Sequence, residues 1–214
     1  MLIDLFLKGQ KTLVVGGGNV GERKTLQLLD AGAEVTVVSK EFTEKLIELS
    51  RAGEIKIEKI DVEKGLSATR IGFAPKVVIV SLDNQLLNRK VAKDAKANGA
   101  LVCVVDDPAA SDFAMPAVAK IGDIRVGVST GGSSPAMAGV FRRRIEEMIT
   151  ESDVRMVELQ KYARALAKQK IDSQEERSRV LRRIIDDTEV KKLLEEGLVD
   201  EAKRLAEKII TGAR

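Results

Sequence analysis

Gly16, Gly18 and Gly21 stand at the G-x-G-x-x-G spacing within VVGGGNVG, residues 14–21. That spacing lets a backbone turn tightly, approach a pyrophosphate closely and seat a helix against a strand, with the amide groups of the helix start facing the phosphates. Asp106 and Asp107 form a pair of carboxylates ahead of Pro108, and residues 129–135 read STGGSSP. A carboxylate is ionised at neutral pH and can accept a proton that simultaneous hydride loss has acidified. Glycines and hydroxyls at a helix N-terminus can hold carboxylates or phosphate. Each stretch has a plainer reading beside this one: a glycine turn, an Asp-Pro turn, and a hairpin-to-helix connection.

The elements that must position these residues decide which reading gains. Residues 12–15 are a β-branched run, and the glycine turn leads into a helix over 20–31 with Leu26, Leu28 and Leu29 as its apolar face and Gly32 just past its end. Residues 35–38 are continuously apolar, the pattern of a parallel strand covered on both faces. Strand, helix and strand thus surround the turn, the context a dinucleotide site requires. The same alternation predicts a helix around 43–51, strands at 55–60 and 77–80, a helix over 84–98 with Leu87, Val91 and Ala95 inward, and a fifth strand at 101–105. This is an α/β pattern, a doubly wound parallel sheet whose ligands lie outside the carboxyl ends of its strands. Ser81 and Asp83 fall at one such end and Asp106 and Asp107 at another. Cys103, inside the fifth strand, reads as a small core residue.

The acid that ordinarily meets the ribose after the second strand is missing, because the chain there reads Val38, Ser39, Lys40, Glu41. Ser39 can bond a ribose hydroxyl, Lys40 can tolerate a 2′-phosphate, and Glu41 is one or two positions late but within reach of the ribose. A solvated loop is the alternative, so this stretch leaves NAD against NADP open.

Composition narrows the chemistry further. The 214 residues carry 36 Lys and Arg against 33 Asp and Glu, a net charge of +3, too balanced to argue for nucleic acid as a partner. A single cysteine excludes an internal disulfide framework, and the lack of histidine removes the commonest metal ligand and acid/base group. Catalysis must rest on carboxylates, lysine, arginine, hydroxyls or a cofactor, and no metal site is expected. Residues 1–7 are apolar but short, carry Asp4 and lack the pattern of a signal peptide; no apolar run approaches membrane-spanning length. The expectation is a cytoplasmic protein with no membrane partner.

Beyond the fifth strand the pattern changes. Residues 117–121 and 124–129 flank Gly122 and Asp123, a two-residue hairpin signal, with Ile124, Val126 and Val128 alternating against Arg125 and Gly127. Ser134 is the predicted N-cap of the helix that follows and Pro135 fits its first turn. Arg142, Arg143 and Arg144 cannot share one face of that helix, so one or two at most converge on a ligand. From Glu151 onward charged residues alternate with Val157, Leu181, Ile184, Leu193, Leu194 and Leu205 at helical spacing, a helical module. The boundaries fall near Pro116 and Glu151.

Taken jointly and in order, GGGNVGERK, LLDAGAEVTVVS, VVDDP, DFAMPAV and VSTGGSSPAMAGVFRRRIE resemble the precorrin-2 dehydrogenase family, including the N-terminal module of siroheme synthases. The resemblance spans the chain, although its motifs lie in the first two thirds. It implies a Rossmann domain over 1–115, a small α+β dimerisation region with a substrate loop over 116–150, and a C-terminal helical domain over 151–214. It also implies oxidation of precorrin-2 to sirohydrochlorin with NAD as hydride acceptor, and a homodimer formed through 117–150. Asp106 matches the family's catalytic aspartate. Asn19 and Val20 match cofactor-contacting positions, as do Lys40 and Glu41. Thr130 falls where some members have a serine in an S-S-G-G loop near the tetrapyrrole site; with Gly131, Gly132, Ser133, Ser134 and Arg142 it is the expected partner of the substrate's carboxylates. Some members also insert ferrous iron, which here would rest on carboxylates alone. Leu82 departs from the hydroxyl residue often found after the fourth strand. Three functions of different class remain open: dehydrogenase, bifunctional dehydrogenase and chelatase, and a non-catalytic NAD-sensing module.

Overall fold

The computed structural model describes residues 2–64 and 73–212. Contacts divide the chain into two compact units, Met1–Met115 and Pro116–Arg214.

The first unit runs β1 (Lys11–Val15), α1 (Asn19–Asp30), β2 (Glu34–Ser39), α2 (Glu44–Arg51), β3 (Lys56–Lys59), β4 (Val77–Val80), α3 (Gln85–Ala97) and β5 (Leu101–Val104). All pairings are parallel, in the order β3-β2-β1-β4-β5, a Rossmann-like sheet. The continuous valine runs follow from burial on both faces. Val14, Val35, Val37, Ile79 and Cys103 pack with Leu28, Leu46 and Leu49 on one side; Leu13, Val15, Val78, Val80 and Val104 pack with Val91 and Ala92 on the other. Val15 lies opposite Val38 in β2 and Val80 in β4, so three carboxyl ends finish level. The chain order reverses between β1 and β4, the place where such sheets open a crevice.

The apolar face of α1 differs from the one the sequence suggests. Gly21, Thr25 and Leu28 are buried, at i, i+4 and i+7, while Leu26 is 40% exposed. Gly21, Thr25 and Leu28 share one side of the helix, and Leu26, about 100° around from Thr25, turns outward. The helix ends as predicted: Gly32 has φ +75°, its N–H donates to Leu29 O, and the Ala33 N–H donates to Leu28 O, a Schellman closure.

The second unit opens with β6 (Ala117–Ile121) and β7 (Ile124–Val128), an antiparallel pair in which Ile121 faces Ile124. Gly122 takes φ +55° at the first turn position, as a two-residue hairpin demands. Helix α4 (Pro135–Met148) packs on both strands, with Ala119 and Ala138 buried. Four helices follow: α5 (Glu151–Lys170), α6 (Gln174–Asp186), α7 (Thr188–Glu195) and α8 (Val199–Thr211). Thr150 and Asp153 cap α5 reciprocally. Leu159, Ile184, Val190 and Leu194 form the centre of this bundle, with Ala163, Ala167, Ala202 and Ala206 allowing α5 and α8 to approach. Val157, one of the apolar positions at helical spacing, is 37% exposed, because the inward stripe of α5 runs through Leu159, Ala163 and Ala167.

Candidate functional site

The glycine turn after β1 is built by steric exclusion. A Cβ at Gly16, whose φ is +120°, would lie 2.6 Å from the Ser81 carbonyl oxygen, and one at Gly21 would collide with the Gly16 carbonyl. Gly17, which the spacing argument passed over, is equally constrained: a Cβ there would strike the Glu41 carbonyl and lie 2.8 Å from the Phe42 ring. Backbone bonds hold the turn, since the Gly16 N–H donates to Val38 O at 2.9 Å and the Thr43 N–H donates to Gly17 O at 3.0 Å. Gly18 is the exception. A Cβ there meets nothing within 4 Å, and as N-cap of α1 it supplies no side-chain acceptor. Asn19 and Val20 beside it are exposed. The first turn of α1 therefore presents uncapped amide donors into open space, which fits the pyrophosphate of a dinucleotide.

At the carboxyl end of β2, Ser39 is half-buried while Lys40 and Glu41 are exposed. Lys40 is not a free cation: its Nζ lies 3.2 Å from Asp61 Oδ1 and 3.2 Å from Glu63 Oε2.

The end of β4 is pinned to the same turn. The Ser81 N–H donates to Val15 O at 2.8 Å and its hydroxyl to the same oxygen at 3.3 Å. Buried Asn88 of α3 accepts from the Leu82 N–H at 3.1 Å and donates to the Leu82 carbonyl at 2.8 Å, which shapes the loop carrying exposed Asp83.

After β5 the two adjacent acids part company. Asp107 caps a short 3₁₀ turn at Pro108–Ala110, accepting from the Ala110 N–H at 3.3 Å, and pairs with Arg89 at 2.7 Å. The Arg89 hydrogen bond holds its carboxyl below the usual range. Asp106 is exposed, has φ +63°, and its carboxylate carries no hydrogen bond or ion pair among the described residues. Beyond the turn, Ser111 Oγ accepts from the Val104 N–H at 2.9 Å and donates to Asp107 O at 2.9 Å, while Asp112 Oδ2 accepts from the Val102 N–H at 2.9 Å. The exposed edge of β5 is thereby covered by its own continuation, and the Asp106 turn is held on both sides.

Lys24, on the second turn of α1, is partly buried. Burial pushes its pKa down, while Cys103 and Asp106 pull it up and Arg23 adds to the fall. Burial raises the Cys103 thiol, consistent with a core residue rather than a nucleophile.

In the second unit, Ser134 Oγ accepts from the Met137 N–H at 3.3 Å and Pro135 occupies the first turn of α4. The Ser134 N–H donates to Thr130 Oγ1 at 3.1 Å, so Thr130 braces the loop. Gly131 and Gly132 have φ of +62° and +87°, with nothing within 4 Å of a Cβ at either, and Ser133 is exposed. Arg142 pairs with Glu146 at 2.5 Å one turn on, and Arg144 stacks 5.8 Å from the Phe141 ring.

Gly16, Gly18, Asn19, Val20, Gly21, Ser39, Lys40, Glu41, Ser81, Asp83 and Asp106 thus sit at carboxyl strand ends of one sheet. Gly17, Phe42, Asn88, Arg89, Ser111 and Asp112 escaped the sequence reading. Of these only Gly17 carried a sequence signal, the middle glycine of an unbroken GGG. No group of three or more acids or cysteines able to hold a metal occurs among the described residues. No helix there is long and apolar enough to cross a membrane.

Residues 3–117 match a family of NAD(P)-binding domains, and residues 122–148 match the central region of sirohaem biosynthesis proteins. The chain is 33% identical over 184 residues to a precorrin-2 dehydrogenase of Methanosarcina barkeri, covering 85% of this chain and 81% of that protein. It is 37% identical over 169 residues to a siroheme synthase of Nitrosococcus oceani, of which it spans 35%. Among solved structures, the fold superposes on SirC, a precorrin-2 dehydrogenase, with TM-score 0.75 and 24% identity over 97% of this chain and 99% of that one.

Proposed function

The chain belongs to the precorrin-2 dehydrogenase and siroheme synthase family, and from that membership we propose that it oxidises precorrin-2 to sirohydrochlorin, with hydride passing to NAD and a proton to Asp106. One observation carries the proposal. At the carboxyl end of β5, Asp107 is committed to Arg89 and the turn, whereas the Asp106 carboxylate is exposed and unengaged among the described residues.

The uncapped start of α1 and the open side of Gly18 suit a dinucleotide pyrophosphate. Bound there, the nicotinamide supplies a two-electron hydride acceptor. Asn19 and Val20 contribute backbone amides to the phosphates, and Ser39, Lys40 and Glu41 meet the adenosine ribose. Ser81 and Asp83 border the crevice at the β1/β4 reversal. Asp106 takes the proton that leaves as the substrate loses its hydride, a transfer that needs one base and no histidine. Its position in the turn is set by Ser111 and Asp112, which carry no proton in the reaction. Precorrin-2 bears many carboxylates. Thr130, Gly131, Gly132, Ser133 and Ser134 offer backbone amides and hydroxyls to them, and Arg142 a guanidinium.

The organisation proposed for the chain is a Rossmann domain to residue 115, a dimerisation region with the substrate loop over 116–150 and a helical domain over 151–214. A homodimer through the central region is supported by α4, where Met137, Phe141 and Met148 recur at helical spacing and stay 41%, 41% and 71% exposed.

The test is to supply precorrin-2 and NAD to the wild type and to Asp106→Asn while following sirohydrochlorin absorbance. Product from the wild type and its loss in the variant are expected. A wild type without product removes the enzyme reading, and undiminished product from the variant removes Asp106 as the base.

A further inference from the structure

Sheets of this kind ordinarily set cofactor preference at the end of the second strand, where an acid bonds the ribose 2′-hydroxyl and excludes a 2′-phosphate, while a cation there accommodates the phosphate. By sequence this chain has Ser39 followed by Lys40 at that strand end, with Glu41 one or two positions late, which leaves the preference open. The fold adds two acids to it. β3 is the parallel neighbour of β2, Ser39 lies opposite Lys59, and the Ile60 N–H donates to Ser39 O at 3.0 Å. The segment leaving β3 therefore runs beside the segment leaving β2. It delivers Asp61 and Glu63 to Lys40 at 3.2 Å each, and the Glu63 N–H donates to Asp61 Oδ1 at 3.1 Å, which holds the two acids together.

We infer that Asp61 and Glu63 are specificity-determining residues: by engaging Lys40 and placing carboxylates at the adenosine-ribose end of the site, they select a dinucleotide with a free 2′-hydroxyl against one bearing a 2′-phosphate. The inference rests on the reading of the glycine turn as a nicotinamide dinucleotide site. The acid that the second strand end lacks is supplied by the segment that follows the neighbouring strand. Lys40 holds the two carboxylates close, and their hydrogen bonds raise its own pKa. A 2′-phosphate, with close to two negative charges, must either displace these carboxylates from Lys40 or sit against them. A neutral hydroxyl faces neither obstacle.

The experiment measures NAD and NADP affinities by titration calorimetry for three full-length proteins: wild type, Asp61→Asn with Glu63→Gln, and that pair combined with Lys40→Met. Each sample supplies both affinities, so any loss of folded fraction cancels in their ratio. The wild type is expected to favour NAD. Neutralising the two acids releases Lys40 and should raise the NADP-to-NAD affinity ratio about tenfold, an effect of the size expected for one charge pair at a protein surface. Adding Lys40→Met should return the ratio toward the wild-type value. The inference is overturned by a wild type that favours NADP or binds both equally, by a ratio that does not move in the acid variant, or by a raised ratio that survives Lys40→Met. A wild type that binds neither dinucleotide overturns the premise as well, which separates the two failures.

Discussion

Arg89 Nε donates to Asp107 Oδ2 across 2.7 Å, tying α3 to the turn that follows β5. The pair divides two acids that the sequence presents as equivalents. Asp107 becomes the anchor of the turn, and Asp106 is left in the left-handed region with its carboxylate facing outward.

Asp106→Asn is the informative substitution, because asparagine tolerates the φ of +63° that alanine would strain. The turn should persist while the base is lost. Sirohydrochlorin formation is expected to fall by about 10²–10⁴-fold, the usual contribution of a positioned acid or base. NAD affinity by calorimetry should change by less than about threefold, since no phosphate or ribose contact is assigned to this side chain. Arg89→Ala, by contrast, should lower the melting temperature and only secondarily the rate.

Gly18→Ala and Gly21→Ala should separate the two duties of the glycine turn. A Cβ at Gly18 meets nothing within 4 Å among the described residues, so the apo melting temperature should hold while dinucleotide affinity falls, as the methyl group would stand in the proposed pyrophosphate site. A Cβ at Gly21 collides with the Gly16 carbonyl, so both stability and affinity should fall. Thermal melts with and without NAD check both outcomes.

Acid should destabilise the fold through three carboxylates. Asp107 is held low by Arg89, Asp112 by Lys96 and then the Val102 amide, and Asp153 by the Thr150 amide and hydroxyl. A folded-state pKa below the unfolded value means that the ionised form favours the fold. That contribution is present above the unfolded carboxylate value of about 3.9 and is lost as pH falls through the lower folded value. Melting temperature should therefore stay level from neutral pH to about 5 and drop below about 4. Asp112→Asn should melt lower at pH 7, with the gap to wild type closing in acid.

Ile184 is fully buried among the helices of the second unit. Ile184→Ala leaves a cavity between α5, α6 and α8 and should cost about 2–5 kcal/mol by chemical denaturation. NAD affinity should be spared, because the glycine turn belongs to the other compact unit.

Charge placed on the exposed stripe of α4 should disrupt the proposed dimer. Phe141→Asp with Met148→Asp should halve the mass measured by light scattering without loss of helix signal. A wild-type mass equal to one chain would remove the dimer proposal.

The sequence by itself determined the sheet. Runs such as residues 77–80 are too apolar to lie anywhere but between two layers of helices, and Gly32, Gly99 and Gly122 mark ends and turns because other residues resist positive φ. Hairpin, caps and glycine turn were legible for the same reason: each is a local constraint acting over a few neighbouring residues. What only the tertiary structure decided are meetings between residues distant along the chain. Leu26 yields the inner face of α1 to Gly21, Thr25 and Leu28, because the glycine turn seats the helix with Gly21 against the Gly16 carbonyl. Lys40 gains its acids from the segment after β3, which becomes its neighbour only through the parallel pairing of β2 with β3. Asp106 differs from Asp107 because Arg89 is brought to one of them by the packing of α3. Composition and period set which elements form; strand order and helix packing set which side chains are left to do chemistry.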